Sequence, residues 1–270
     1  MLDTIPSKNG HGGADTLLPA PHRDQWGPHP AGTVSVVMPA LNEERNIAWV
    51  LERMPGVVDE VILVDGRSVD GTVAVACAIR PDIVVVSEPR LGKGRALRAG
   101  FGTATGDVIV MIDADGSMDP KEIPRYVEPL ELYDFVKGSR YIHGGDSDDF
   151  TWLRRVGNRG LLACANALYG SPFTDLCYGY CAFRREQLQV LALTADGFEI
   201  ETQLIIHAVK AGLRIKEIPS VELSRICGRS NLHTFRDGRR VLQTLLSERF
   251  ERGPKTMSPA APSMAPSVPR

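Results

Sequence analysis

Four short apolar runs, each closed by polar residues, set the rhythm of the first half of the chain: TVSVVMP at 33–39, EVILVD at 60–65, DIVVVSE at 82–88 and DVIVMID at 107–113. Runs this short and this rich in Val and Ile read as strands buried on both faces. Between them, residues 43–54, 70–79 and 93–103 carry helical patterns. Strand and helix therefore alternate, as they do in βα units feeding a mainly parallel sheet. Beyond Asp119 the rhythm changes to a helix from Pro120, a strand in DFVKGSR, a long helix over LRRVGNRGLLACANALYG, a strand near Cys177, and helices around 199–211 and 233–250. The prediction is an α/β fold: one domain over 32–252, with a mainly parallel central sheet flanked by helices. Residues 1–31, rich in Gly, Pro and His, and the Pro/Ser/Ala-rich stretch 253–270 lack apolar periodicity and are expected to be disordered tails.

Composition removes whole classes of function. With 31 basic and 33 acidic residues, the net charge of −2 supplies no global field of the kind that draws a protein to nucleic acid, so any anion site must be local. No window holds the roughly 18 apolar residues that a membrane span requires, and the start of the chain lacks the apolar core of a signal peptide. A cytoplasmic protein without a transmembrane segment is expected. The five cysteines, Cys77, Cys164, Cys177, Cys181 and Cys227, form no CxxC pair, and their odd number suits a reducing compartment. Cys177 and Cys181 lie in DLCYGYCAF, which reads as a buried strand rather than a zinc site, since no further spaced ligands accompany them.

In open α/β sheets ligands sit beyond the carboxyl ends of the strands, and here those ends are unusually polar. The first strand runs into PALNEE with Asn42, Glu43 and Glu44, the second into DGRSVDGT with Asp65 and Asp70, the third into EPRLGKG with Glu88 and Lys93, and the fourth into Asp113 and Asp115. Helix capping accounts equally well for Asn42 and Asp70. It accounts less readily for Asp113 and Asp115, whose alternative reading is a loop of solvated acids before the helix cap Asp119. Two carboxylates held together at a strand end repel, and a divalent cation carrying phosphate oxygens relieves that repulsion. Hard oxygen ligands suit Mg²⁺ or Mn²⁺. A metal with open positions then binds a diphosphate and neutralises the charge on a departing nucleoside diphosphate.

Taken in order, PALNEE, VDGRSVDGT, LGKGRALRAGF, MIDADGS, KGSRY and TDLCYGYCAFRRE resemble the inverting family-two glycosyltransferases of the GT-A fold, close to the dolichyl- and polyprenyl-phosphate sugar synthases. The likeness spans about 33–230. It implies a GT-A-type domain that transfers a sugar from a nucleotide-sugar donor, bound by the half at about 32–119, to an acceptor bound by the half at about 120–252. On this resemblance Asp113 and Asp115 match the metal-binding D-x-D pair, with Asp115 at the reaction centre. Pro39, Ala40, Asn42 and Glu43 would lie at the nucleotide, Asp65 would contact the base, and Lys93 would face the base or the diphosphate. Two departures stand out. The family's second motif commonly has two aspartates where this chain has Asp65 followed by Gly66, and Ser117 stands where the lipid-phosphate branch often has Gln as a further metal contact.

Arginines carry the acceptor reading, because a guanidinium fork binds phosphate in a fixed geometry and stays charged. Arg140 follows the strand in KGSRY, and SRICGRSN sets Arg225 and Arg229 around Gly228, resembling the family's Arg-x-x-Gly-x-Ser-Lys with Asn231 in the place of Lys. A phosphate-monoester oxygen is already nucleophilic near neutral pH, whereas a hydroxyl acceptor would need a carboxylate such as Asp175 or Glu201 to take its proton. The resemblance puts Glu201 at the acceptor end. The expected acceptor is a polyprenyl phosphate, reached by peripheral contact with the inner face of the membrane. The alternatives are a soluble small-molecule acceptor, such as a natural product or a phosphorylated metabolite; in a different class, a sugar-1-phosphate nucleotidyltransferase, which should carry a Gly-rich basic loop where this chain has ALNEE; and a non-catalytic nucleotide-sugar sensor. In FRDGRRVLQTLLSERF, Val241, Leu242, Leu245 and Leu246 form an apolar side, assigned to core packing with surface binding as the alternative.

Overall fold

The computed structural model describes residues 31–148, 152–228 and 233–250. The expectations for the two tails and for Arg229 lie outside the described residues. In chain order the elements are β1 (Val34–Ala40), α1 (Ile47–Glu52), β2 (Glu60–Asp65), α2 (Thr72–Ile79), β3 (Val84–Ser87), α3 (Lys93–Thr103), β4 (Val108–Met111), α4 (Ile123–Val127), β5 (Phe135–Ser139), β6 (Asp146–Ser147), α5 (Trp152–Tyr169), β7 (Cys181–Arg184), α6 (Leu188–Leu191), α7 (Ile200–Lys210), β8 (Ile215–Pro219), β9 (Val221–Glu222) and α8 (Thr234–Phe250).

Seven of the described strands make one sheet in the order β3-β2-β1-β4-β7-β5-β8. Parallel pairing joins β1 to β2 and β4, β2 to β3, and β5 to β8, while β7 runs antiparallel between β4 and β5. The central strand β1 is apolar and buried almost throughout because both faces of the sheet are covered. Val34, Val36 and Met38 belong to a core with Ile47 and Val50 of α1 and Ile123 and Tyr126 of α4. Val37, with Ile62 and Val64 of β2, packs on the other face against Leu97 and Phe101 of α3 and Leu204 of α7. Helix α3 comes this close because position 100 is glycine; a Cβ there would strike Val37 and Val64. A third cluster joins α5, α7 and α8 through Ala165, Ile205, Ile206, Val241 and Leu245.

Three features depart from the sequence pattern. The strand expected near Cys177 begins only at Cys181, because side chains take the carbonyls before it: Lys137 Nζ donates to Asp175 O at 2.5 Å and Arg140 Nη2 to Cys177 O at 3.1 Å. Strand β8 has no apolar run to announce it; it is an edge strand with a single buried residue, Ile218. The apolar side of α8 is split, with Val241 and Leu245 buried but Leu242 and Leu246 exposed, so core packing explains half of it. None of the described helices is long and apolar enough to cross a membrane.

Candidate active site

Parallel pairing sets the strand ends side by side, with Ala40 opposite Asp65 and Asp65 opposite Ser87. Pro39 and Ala40 close β1, and the chain then turns at Asn42, whose φ of 59° is left-handed, a conformation asparagine tolerates. Its Oδ1 accepts from Val69 N at 2.9 Å, and its own N–H donates to Ser68 Oγ at 2.9 Å. Asp65 accepts from Ser68 N at 3.1 Å. The loops after β1 and β2 are thus clamped to each other, and Asn42 is a loop clamp rather than a helix cap. Asp70 does anchor a helix start, accepting from Thr72 N at 3.1 Å, and also holds Glu44 N at 3.2 Å.

Lys93 opens α3, and that helix start is docked on the loop before α7. The N–H groups of Gly94 and Arg95 donate to Asp196 O at 3.0 and 3.3 Å, and Arg95 and Arg98 pair with the Asp196 carboxylate at 2.6 and 2.7 Å. This docking carries Lys93 between carboxylates from the two halves of the chain. Its Nζ lies 2.6 Å from Asp113 and 2.6 Å from Glu201. Glu201, in the first turn of α7, is backed by Gly179, where a Cβ would stand 2.6 Å from Oε1. On the other side of the D-x-D turn, Arg225 Nη2 lies 2.5 Å from both Glu43 oxygens, Nη1 donates to Asp115 at 3.1 Å, and Nε to Cys227 O at 2.7 Å. The buried Asn46 donates to Glu43 at 2.6 Å and to Cys227 O at 3.1 Å. Leu223 N donates to Ser117 O at 2.8 Å and Ile226 N to Asp115 O at 3.3 Å, so the Arg225 segment lies along the turn.

Charge is unbalanced in this cluster. Glu43, Asp113, Asp115 and Glu201 face Lys93 and Arg225, an excess of two negative charges. Burial pushes the Asp113 carboxyl up to about 6; Lys93 pulls against that push, and Asp115 and Glu201 add to it. Burial also raises Glu43, against hydrogen bonds from Arg225 and Asn46. Lys93 would be lowered by burial, but Asp113 and Glu201 outweigh it and raise the ammonium far above its ordinary value. A single ammonium shared by two carboxylates cannot neutralise both. Hard oxygen donors with two uncompensated charges fit Mg²⁺ or Mn²⁺, which bind through one or two carboxylates and fill the rest of their shell with water and phosphate oxygens. Among the described residues no group of three His, Cys, Asp or Glu side chains forms an all-protein metal cage. Burial pushes the Cys177 thiol up to about 12, which makes it a poor thiolate ligand.

Arg140 and Asp175 are not in this cluster of contacts, and the geometry revises both expected roles. Arg140 donates through Nε to Asp175 Oδ2 at 2.7 Å, through Nη2 to Asp175 Oδ1 at 2.9 Å, and through Nη1 to Glu222 at 2.9 Å. Asp175 is fully buried. Burial works against its charge, but the hydrogen bonds and charge of Arg140 prevail and hold the carboxyl below its ordinary value. As folded, Asp175 is not open to take a proton and the fork of Arg140 is not open to a phosphate. Together they brace the end of β5 against β9 and the segment before β7. Arg140→Met is therefore expected to cost about 3–5 kcal/mol, measured by urea denaturation, because it strands a buried charge. Since the Asp175 carboxyl is depressed, the pair's contribution is present above about pH 4 and is lost as pH falls further, so the gap between wild type and variant should close in acid. A gap that persists at low pH would contradict the brace.

Three residues of these networks were not singled out by the sequence pattern. Asn46 lies three positions after Glu43, Glu222 three before Arg225, and Lys137 on β5. The spacing to a charged residue is the signal that could have found the first two; a buried lysine inside a strand has none.

Residues 35–191 match the family model for Glycosyl transferase family 2. The glycosyltransferase AglJ of Haloferax volcanii is 34% identical over 210 residues, 76% of this chain and 68% of that protein. Polyprenol monophosphomannose synthase of Mycolicibacterium smegmatis is 32% identical over 217 residues, 75% of this chain and 82% of that protein. Among solved structures, glucosyl-3-phosphoglycerate synthase from Mycobacterium tuberculosis, in complex with Mn²⁺, uridine diphosphate and glucosyl-3-phosphoglycerate, superposes with a TM-score of 0.64 at 30% identity over 80% of each chain. With the family model matching more than half of its length, the chain belongs to glycosyl transferase family 2.

Proposed function

We propose that this glycosyltransferase is metal-dependent and moves a sugar from a nucleoside-diphosphate donor to the phosphate of a polyprenyl carrier. The observation that carries the reading is the excess of two negative charges where Glu43, Asp113, Asp115 and Glu201 meet Lys93 and Arg225. Asp113 and Asp115 would hold Mg²⁺ or Mn²⁺, which when bound supplies positive charge at the leaving diphosphate. Pro39, Ala40, Asn42, Glu43 and Asp65 line the nucleotide; the loops that carry them are already clamped, so little ordering is lost on binding. Lys93 keeps a fixed positive charge between the donor aspartate and the acceptor end. Arg225 and Arg229 are the candidates for gripping the acceptor phosphate, Arg225 by exchanging its carboxylate partners for that anion.

In the transfer, an acceptor phosphate oxygen forms a bond to the anomeric carbon as the bond from that carbon to the diphosphate breaks, with inversion. The phosphate oxygen is already ionised, so no base is needed, and Glu201 serves to fix Lys93. The likeness to a polyprenol monophosphomannose synthase supports the lipid acceptor. The likeness to glucosyl-3-phosphoglycerate synthase supports a second reading, a soluble phosphorylated acceptor. Release of nucleoside diphosphate from a panel of donors, with short-chain polyprenyl phosphate or phosphoglycerate, decides between them. Release with the lipid phosphate alone is expected; release only with phosphoglycerate would replace this reading by the second. Glu201→Gln sharpens the test. It should lower the rate less than about tenfold for a phosphate oxygen, against about 10²–10⁴-fold if Glu201 deprotonates a hydroxyl.

A further inference from the structure

We infer that the outward face of α8, together with the start of α5, docks on a bilayer carrying anionic headgroups. This rests on the lipid-phosphate reading above. Helix α8 is apolar on two sides. Val241 and Leu245 face the core, whereas Phe235, Leu242, Leu246 and Phe250, at helical spacing, are 80%, 39%, 45% and 84% exposed. Its two acids are turned inward: Asp237 is buried, and buried Glu248 accepts from Gln203 at 2.8 Å and Lys210 at 2.9 Å. Arg236, Arg239, Arg240 and Arg249 remain exposed, so every exposed charge on the helix is positive. Helix α5 packs beside it, with Tyr169 Oη donating to Leu245 O at 2.8 Å. The first turns of α5 repeat the composition, with exposed Trp152 and Val156 beside exposed Arg155 and Arg159 and no acid anywhere in the helix.

Apolar side chains flanked by arginines, on a helix that does not cross the membrane, are the chemistry of an interfacial helix on an anionic surface. Next to the stripe an open groove of about 460 Å³ is lined by Arg240, Gln243, Thr244, Ser247, Leu246 and Glu199. Its guanidinium, amide and hydroxyl groups are donors suited to a phosphate headgroup, and Glu199 stands two residues from Glu201. The groove and Glu201 therefore share the start of α7. A second copy of the chain is a poorer occupant, because a two-fold contact sets these arginines against their own equivalents.

Co-sedimentation of the full chain with vesicles of phosphatidylcholine, with or without about one-third phosphatidylglycerol, tests the inference without donor or acceptor. Binding should require the anionic lipid and should weaken about tenfold or more in about 0.5 M NaCl, where the Debye length is short. Phe235→Glu and Phe250→Glu should each weaken it about tenfold, with unchanged circular dichroism and unchanged turnover of a detergent-dispersed short-chain acceptor. Wild-type protein that ignores anionic vesicles overturns the inference even if polyprenyl phosphate proves to be the acceptor. So does a dimer in light scattering that Phe250→Glu dissociates without any vesicle binding. Vesicle binding that these variants abolish sustains it even if transfer to lipid phosphate fails.

Discussion

Asparagine in place of Asp115 is expected to lower sugar transfer about a thousandfold, the scale set by removing a preorganised charge from the reacting centre. The substitution is close to isosteric. Oδ1 of Asp115 accepts from Ser117 N at 3.0 Å, and the amide oxygen of asparagine can keep that bond. Arg225 retains both oxygens of Glu43 at 2.5 Å, so the segment over the D-x-D turn stays in place. The loss should therefore appear in turnover and in the divalent-ion concentration needed for it, with the melting temperature within about 5 °C of wild type. Nucleoside diphosphate release titrated with Mg²⁺ and Mn²⁺ measures it. An Asp115→Asn enzyme with wild-type rate and metal dependence would remove the D-x-D pair from the mechanism.

Lys93→Met should have the second largest effect, and on two observables at once. The ammonium lies 2.6 Å from both Asp113 and Glu201, and its removal leaves two carboxylates with no shared cation. A stability loss of about 3–5 kcal/mol is expected from the stranded charge. A rate loss of about 10²–10³-fold is expected from the missing positive charge between donor and acceptor. Adding Asp113→Asn to the same chain removes a carboxylate along with its cation, which should restore much of the stability and none of the activity. Urea denaturation and single-turnover rates separate the two effects. A Lys93→Met enzyme that is stable and active would show that the two halves of the site do not communicate through this residue.

The proposed donor side of the site was more legible in the sequence than the proposed acceptor side, for a physical reason. In a parallel sheet the carboxyl ends of successive strands emerge on one edge, so a polar residue that follows an apolar run is placed by local pattern alone. Asn42, Asp65 and Asp113 were found in this way, and β1, β2 and β4 deliver them to that edge. In the sequence Arg140 follows one strand-like run and Asp175 precedes another, so local pattern treats them as separate groups. Their hydrogen bonds, made across 35 residues, turned both inward as a brace. Leu242 and Leu246 were counted with the core because the apolar side of α8 is wider than the surface α5 and α7 cover.

Local pattern by itself determined the α/β alternation, the strands β1 to β4, the helix α3 and the polar strand ends, since side chains a few residues apart on one element have fixed relative directions. Only the tertiary structure decided which charge meets which. Lys93 reaches Glu201 across 108 residues because the Asp196 loop docks on the start of α3, and Arg225 reaches Glu43 across 182 because the chain after β9 runs back along the D-x-D turn. The sheet order, with antiparallel β7 set between β4 and β5, was equally beyond local pattern. Periodicity along an element specifies the face a residue presents, whereas its partner is fixed by how elements distant in sequence pack, and that depends on the sum of burial over the whole core.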